Sequence, residues 1–187
     1  MPNPKELLHD ADTRMKKANE ALERELAGIR TGRASPALVE RVKAEYYGVP
    51  TPLNQLATIT APEARQLLIQ PWDRTSLSAI EKALLKSDLG LTPTSDGHVL
   101  RLNLPALTEE RRKELVKLVK KRVEEGRISV RNIRRDILEG LRSLEKEGSI
   151  SQDDSKRSQT ELQGLTDRAL EDMNSLGEAK EKEVWEG

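Results

Sequence analysis

Lys113, Lys120, Arg127 and Arg134 recur at seven-residue intervals, and Lys117 and Arg131 fall between them, four residues after one member and three before the next. Side chains three and four apart share a face of an α-helix. The spacing therefore lines six cations along one flank, with Glu124 the only acidic interruption. Arg135 and Arg142 extend the basic surface around the back of the same helix. A row of this kind suits the neutralisation of successive phosphates on a nucleic acid, and the planar guanidinium fork matches two phosphate oxygens better than an ammonium does. The competing reading makes the row the flank of a helical bundle, its charges pairing with acids of a neighbouring helix such as Glu161, Glu171 or Glu178. Spacing does not separate the two, and some pairing is expected under either.

Other chemistries find less support. Gly28-Ile29-Arg30-Thr31-Gly32-Arg33-Ala34-Ser35 resembles a phosphate-binding loop only faintly: its glycines are one residue too close, Arg replaces Lys, and a helix precedes it where a strand should. His9 and His98 are the only imidazoles, too few and too isolated for a His-based metal site or a triad. With no Cys there is neither a thiolate ligand nor a cysteine nucleophile. The carboxylates sit on helix surfaces. Trp72 beside Pro71 could stack on a base, but core packing or a surface contact is the commoner use of such a residue. No catalytic constellation emerges, and neither a metal nor a cofactor is expected.

The elements that would carry the row are long helices. Asn3-Pro4-Lys5-Glu6 reads as an N-cap, a proline at the first helical position and the acidic partner of a capping box. It opens a first helix whose stripe is Leu8, Ala11, Met15, Ala18, Leu22 and Ile29, broken at Glu25. A second helix runs from Thr108 to Lys146 on the seam Val116, Val119, Val123, Gly126, Val130, Ile133, Ile137, Gly140 and Leu144, with Gly148 placed to end it. At ~1.5 Å rise per residue it is about 60 Å long, and with one apolar seam it needs partners along its length. Ser151, with Asp154 three residues on, opens a third helix striped by Leu162, Leu165, Ala169, Met173, Leu176 and Val184, folded back antiparallel.

Residues 31–105 differ, holding seven of the nine prolines. Strands are expected over Arg41–Tyr47 (stopping at Gly48-Val49-Pro50-Thr51-Pro52), Gln55–Thr60, Gln66–Gln70 and His98–Leu104, with a helix from Thr75 to about Lys86 ended by Asp88-Leu89-Gly90. The fold class is α+β. An elongated three-helix bundle, residues 1–30 and 106–187, receives a small inserted α/β (β/α/β) domain, residues 31–105. Thr31-Gly32 and Leu104-Pro105 are the two crossings; such a pair fits a hinge, and it is also simply what an insertion requires.

The 187 residues are 35% hydrophobic and 34% charged, with no Phe, so the core must be narrow and aliphatic. Net charge is zero, but residues 108–146 carry thirteen basic and eight acidic side chains, against five and eleven in residues 147–187. That asymmetry makes a directional surface which the average hides. The chain begins Met1-Pro2-Asn3-Pro4 without an apolar leader, and no window approaches a membrane span, so a cytoplasmic protein that uses no membrane is expected.

Five stretches, in order, resemble the bacterial ribosome recycling factor family: Ile29–Pro36, Glu45-Tyr46-Tyr47-Gly48-Val49-Pro50-Thr51-Pro52-Leu53, Ser87–Leu91, Leu107–Lys113 and Val130-Arg131-Asn132-Ile133-Arg134-Arg135-Asp136. The resemblance implies an L-shaped molecule with a flexible elbow. It implies a monomeric partner of the post-termination ribosome whose bundle lies along large-subunit rRNA. With elongation factor G, which hydrolyses the GTP, such a factor splits the subunits and releases mRNA and tRNA while hydrolysing nothing itself. It assigns rRNA contacts to Arg131, Arg134 and Arg135, and to Arg30 and Arg33 by the elbow; the stripe adds Arg127, Lys120, Lys117 and Lys113. Arg134 belongs to both motif and stripe. A coiled-coil scaffold gripping a protein client is the alternative class, and ribosome co-sedimentation separates the two.

Overall fold

The computed structural model describes residues 2–186. Its helices are α1 (Pro4–Ala27), α2 (Leu77–Lys86), α3 (Glu109–Lys146) and α4 (Gln152–Glu186); its strands are β1 (Lys43–Tyr46), β2 (Val49–Pro52), β3 (Ala57–Glu63), β4 (Gln66–Pro71), β5 (Pro93–Ser95) and β6 (Leu100–Asn103). The chain divides into two compact units, residues 2–30 with 110–186 and residues 31–109. Residues 106–109 go with the inserted unit, where the sequence reading had put them in the bundle; residues 106–108 precede α3, and Glu109 is its first residue. Met1 and Gly187, at the outer ends of the expected bundle, lie outside the described residues.

In the bundle, α1 starts as its sequence dictates: Asn3 Oδ1 accepts from the Glu6 N–H at 2.8 Å, and the Glu6 carboxylate returns the bond to the Asn3 N–H. α3 ends at Gly148, whose φ of +76° an L side chain resists. There Ser149 N–H donates to Leu144 O and Gly148 N–H to Glu145 O, the paired bonds of a Schellman turn. Ser151 Oγ accepts from the Asp154 N–H at 3.1 Å and caps α4.

The contacts fix direction. Leu7 meets Gly140 and Leu22 meets Gly126, so α1 runs antiparallel to α3; Ser155 bonds Glu145 and Gly177 meets Val123, so α4 does too. The seam of α3 is broader than a strict 3/4 step gives. Leu115 is buried where Val116 is only half-buried, and Leu141 joins Val119, Val123, Val130, Ile133, Ile137 and Leu144. A helix of ~3.6 residues per turn drifts across a seven-residue repeat, and two partners cover a wider arc than one. In α4 the buried set is Ser155, Ser158, Leu162, Thr166, Ala169, Met173, Gly177 and Val184, while Leu165 and Leu176 stay half-buried. Small residues let the helices approach: a Cβ on Gly177 would lie 2.7 Å from Val123 Cγ2, and one on Gly126 3.0 Å from Met173 Sδ.

The inserted unit is a four-stranded sheet, ordered β3-β4-β6-β5, with a separate β1-β2 ribbon and α2. Every strand pair is antiparallel. Leu67 opposes Leu102 and Ile69 opposes Leu100, and these pairs pack with Ile80 and Leu84, one turn apart on α2. The stop expected at residues 48–52 is instead the turn and return strand of a hairpin. Tyr47 and Gly48 take φ of 50° and 78°, the double positive φ of a type I′ turn. Pro50 and Pro52 are tolerated because the ribbon has only two strands, so β2 keeps an unpaired edge. β5, three residues long and opened by a proline, was absent from the sequence reading.

Candidate nucleic-acid interface

The basic row lies on the flank of α3 that faces α4. Arg127 Nε donates to Asn174 Oδ1 at 3.0 Å, and Arg134 Nε donates to Gln163 Oε1 at 3.1 Å. Glu124, read from sequence as an interruption, is the hub of the row. It accepts from Arg127 Nη1 at 3.0 Å and from Arg131 Nη1 at 3.3 Å. The Arg127 hydrogen bond, more than any other influence, holds the Glu124 carboxyl below the usual carboxylate range, and the Arg131 charge adds to it. Solvent-exposed pairs of this sort are weak, so they orient the guanidiniums without making them unavailable to a phosphate. Among the described residues no ion pair joins the row to Glu161, Glu171 or Glu178; α4 answers it with the amides Asn174 and Gln163.

Lys113, Lys117, Lys120, Arg131 and Arg135 are exposed, while Arg127 and Arg134 are half-buried against α4. Arg142, expected at the back of α3, lines the same α3–α4 groove as Arg134. The reason is rotational: Arg142 stands eleven residues from Arg131, close to three full turns at ~3.6 residues per turn.

Arg30 belongs elsewhere. It lines a groove on the α1 side of α3 with Arg24, Glu25, Arg111 and Arg122. Arg111 pairs there with Glu114 at 2.9 Å and Arg122 with Glu125 at 3.2 Å. Arg33 is an exposed residue of the inserted unit. At the expected crossings, Thr31 is buried and Gly32 has φ +76°, with a Cβ there 3.3 Å from Leu107 Cγ; Leu104 N–H donates to Arg65 O at 2.7 Å and Pro105 is exposed, both inside the inserted unit, which runs on to Glu109.

Asn174, Gln163 and Lys156 were missed. The signal available was faint: Gln163 and Asn174 are eleven apart, hence on one face, and uncharged within an otherwise acidic segment. Trp72 is 65% exposed, not core, and its Nε1 donates to Thr58 Oγ1 at 2.8 Å. His98 lies 3.1 Å from Arg74 Nη2, and His9 is exposed. Among the described residues no group of three or more His, Cys, Asp or Glu is placed to hold a metal ion, and no helix is long and apolar enough to cross a membrane.

A helical bundle with grooves of mixed charge on two flanks, carrying an inserted antiparallel α+β unit and no catalytic cluster among the described residues, has the make-up of a binding protein. Residues 22–185 match the family model for ribosome recycling factor. The chain belongs to the ribosome recycling factor family, whose members are non-enzymatic translation factors. It is 56% identical to the ribosome-recycling factor of Syntrophomonas wolfei subsp. wolfei, over 97% of this chain and 98% of that protein. Against the Heliobacterium modesticaldum factor the identity is 58%, over 97% and 98%. A solution structure of the ribosome recycling factor superposes with a TM-score of 0.71 at 47% identity, covering all of both chains. A second similar chain belongs to models of the T. thermophilus ribosome recycling factor and the E. coli elongation factor G bound to the E. coli post-termination complex. Its TM-score is 0.62 at 50% identity, covering 98% of this chain and 99% of that one.

Proposed function

We propose that this chain, as a monomer in the cytoplasm, binds the post-termination ribosome and lays the α3–α4 flank of its bundle along large-subunit rRNA. Elongation factor G then hydrolyses GTP and drives the subunits apart, releasing mRNA and tRNA for another round of translation. The chain uses no cofactor of its own. The observation that carries this reading is the row itself: Arg127, Arg131 and Arg134 stand on one flank of a rigid helix, oriented by Glu124, Asn174 and Gln163. Phosphate contacts of this kind fix register and orientation and do not read sequence. Membership of the family, and the similar chain bound with elongation factor G to a post-termination complex, support the partners. Among the described residues the apolar seam of α3 is packed by α1 and α4, which weighs against a scaffold that grips a client through it. Arg30 and Arg33 remain proposed rRNA contacts separate from the row. Thr31-Gly32 and Leu104-Pro105 remain proposed as the hinge: the chain passes between the units at Arg30-Thr31 and at Glu109-Glu110, so the first pair lies at a boundary, while the second lies inside the inserted unit, short of the other boundary.

The deciding experiment is a subunit-splitting assay with and without elongation factor G and GTP, run on the unmodified chain and on Arg134→Glu. Splitting should require all three components. Arg134→Glu should weaken large-subunit binding while leaving the circular dichroism unchanged. Splitting that proceeds without this chain, or unchanged binding by Arg134→Glu, refutes the reading.

A further inference from the structure

We propose that Arg134, Arg142 and Lys156 together form a phosphate-binding groove at the α3–α4 turn end of the bundle, with Gln163 as the positioning residue for Arg134 and an RNA backbone as the ligand. The inference rests on the proposed ribosome-binding function and adds α4 to its contact surface. The groove, of about 670 Å³, is lined from α3 by Arg134 and Arg142 and from α4 by Lys156, Thr160, Gln163 and Asp167. Its three cations face one acid, and Asp167 Oδ1 already accepts from Gln163 Nε2 at 2.8 Å. The same flank towards the other end of α3 has the reverse balance: Lys120 and Arg127 face Glu124, Glu178 and Glu181. A polyanion that follows the α3–α4 flank therefore settles at the turn end.

Gln163 is anchored on both sides, its Oε1 accepting from Arg134 Nε and its Nε2 donating to Asp167. Holding the guanidinium through Nε leaves its terminal nitrogens for a bidentate phosphate. Arg142 and Lys156 are exposed, and neither has a side-chain partner among the described residues. Arg134 and Arg142 are eight residues apart, about 12 Å along the axis at ~1.5 Å per residue. That span exceeds one phosphate ion and suits phosphates about two nucleotides apart on one strand.

The test measures large-subunit affinity of the full chain against salt for Arg142→Gln, Lys156→Gln and Arg134→Gln, with Lys182→Gln, an exposed residue of α4 outside the row and the groove, for comparison. Each of the first three should make the log-log salt dependence shallower by ~1 and weaken binding about four- to fivefold at about 0.15 M salt, whereas Lys182→Gln should leave the slope unchanged. Gln163→Leu should weaken binding, and Gln163→Asn, a neutral amide that keeps an acceptor for Arg134, should restore part of it. If Arg134→Gln lowers the slope while Arg142→Gln and Lys156→Gln leave it unchanged, the groove is refuted and the proposed function stands. If Arg134→Gln also leaves it unchanged, both fail. A photo-crosslinker at position 142 should label rRNA; labelling of ribosomal protein alone overturns the ligand.

Discussion

Replacing single glycines of the bundle by alanine tests whether close helix approach, and not helix propensity, decides their presence. Gly164, Gly126 and Gly177 lie in helix interiors, where Gly→Ala alone should stabilise by about 1 kcal/mol. They differ in what a Cβ would meet. At Gly164 nothing lies within 4 Å, so the propensity gain should appear nearly whole. At Gly126 the nearest atom is Met173 Sδ at 3.0 Å, the end of a flexible thioether that can move aside, and the change should be close to neutral. At Gly177 the Cβ would sit 2.7 Å from Val123 Cγ2, against an optimum of about 3.5–4.0 Å. Val123 is β-branched, buried and confined to one rotamer in a helix, so the strain must move backbone. Overpacking of this sort costs about 1–3 kcal/mol; after subtracting the propensity gain of about 1, Gly177→Ala should be destabilised by up to about 2 kcal/mol. Denaturant unfolding followed through Trp185, next to the buried Val184, reads the bundle directly. The midpoints should rank Gly164→Ala above the unmodified chain, Gly126→Ala near it and Gly177→Ala below it. Stabilisation by all three substitutions would refute the account of α3–α4 packing, and with it the claim that this approach brings Asn174 and Gln163 within reach of the α3 arginines.

Asn3→Ala removes the side-chain half of the α1 capping box, leaving the residue-3 N–H to Glu6, and should cost about 0.5–2 kcal/mol, seen as faster amide exchange in the first turn of α1 with α4 unaffected. Of the two tyrosines, Tyr46 should ionise late, near pH 12, because its hydroxyl donates to Asp73 Oδ2 at 2.8 Å. Since the folded value lies above the unfolded one, this contribution is complete below about pH 10 and lost as the pH rises through 12; ultraviolet titration of Asp73→Ala should show Tyr46 returning towards 10. If the two crossings act as a hinge, distances between labels placed on the bundle and on the inserted unit should be broadly distributed in solution; one narrow distribution counts against it.

What was legible in the sequence follows from where the determining partner lies. The cap at Asn3, the end of α3 at Gly148 and the start of α4 at Ser151 are decided within six residues, and they appear where local chemistry puts them. The α3 seam was legible as a stripe but not in width, because Leu115 and Leu141 are buried by two neighbouring helices and not by their own spacing. The interior of α4 was less legible still: Ser155, Ser158, Thr166 and Gly177 are buried for their smallness, which carries no hydrophobic signal. Thr166 satisfies its hydroxyl on Leu162 O at 2.8 Å and so loses the polarity that argues for a surface position. In the inserted unit, Pro50 and Pro52 look like a stop until the edge position of β2 is known.

The candidate site divides in the same way. The cations of α3 are ordered by their own helix, so a period of seven found them. Which of them work together is decided by α4, through residues that nothing in α3 specifies. Arg142 is the sharpest case. Counted from Arg134 by heptads it falls outside the row; counted by whole turns from Arg131 it falls within it, and the groove it shares with Arg134 and Lys156 settles the matter in favour of turns. Arg30 makes the converse point, since a motif adjacent in sequence places it in a groove with Arg24, Arg111 and Arg122 on the α1 side of α3. Among the motif arginines it is Arg134 whose side chain α4 orients, through Gln163. Position on one helix names the candidates, and the neighbouring helix decides which are ready to bind.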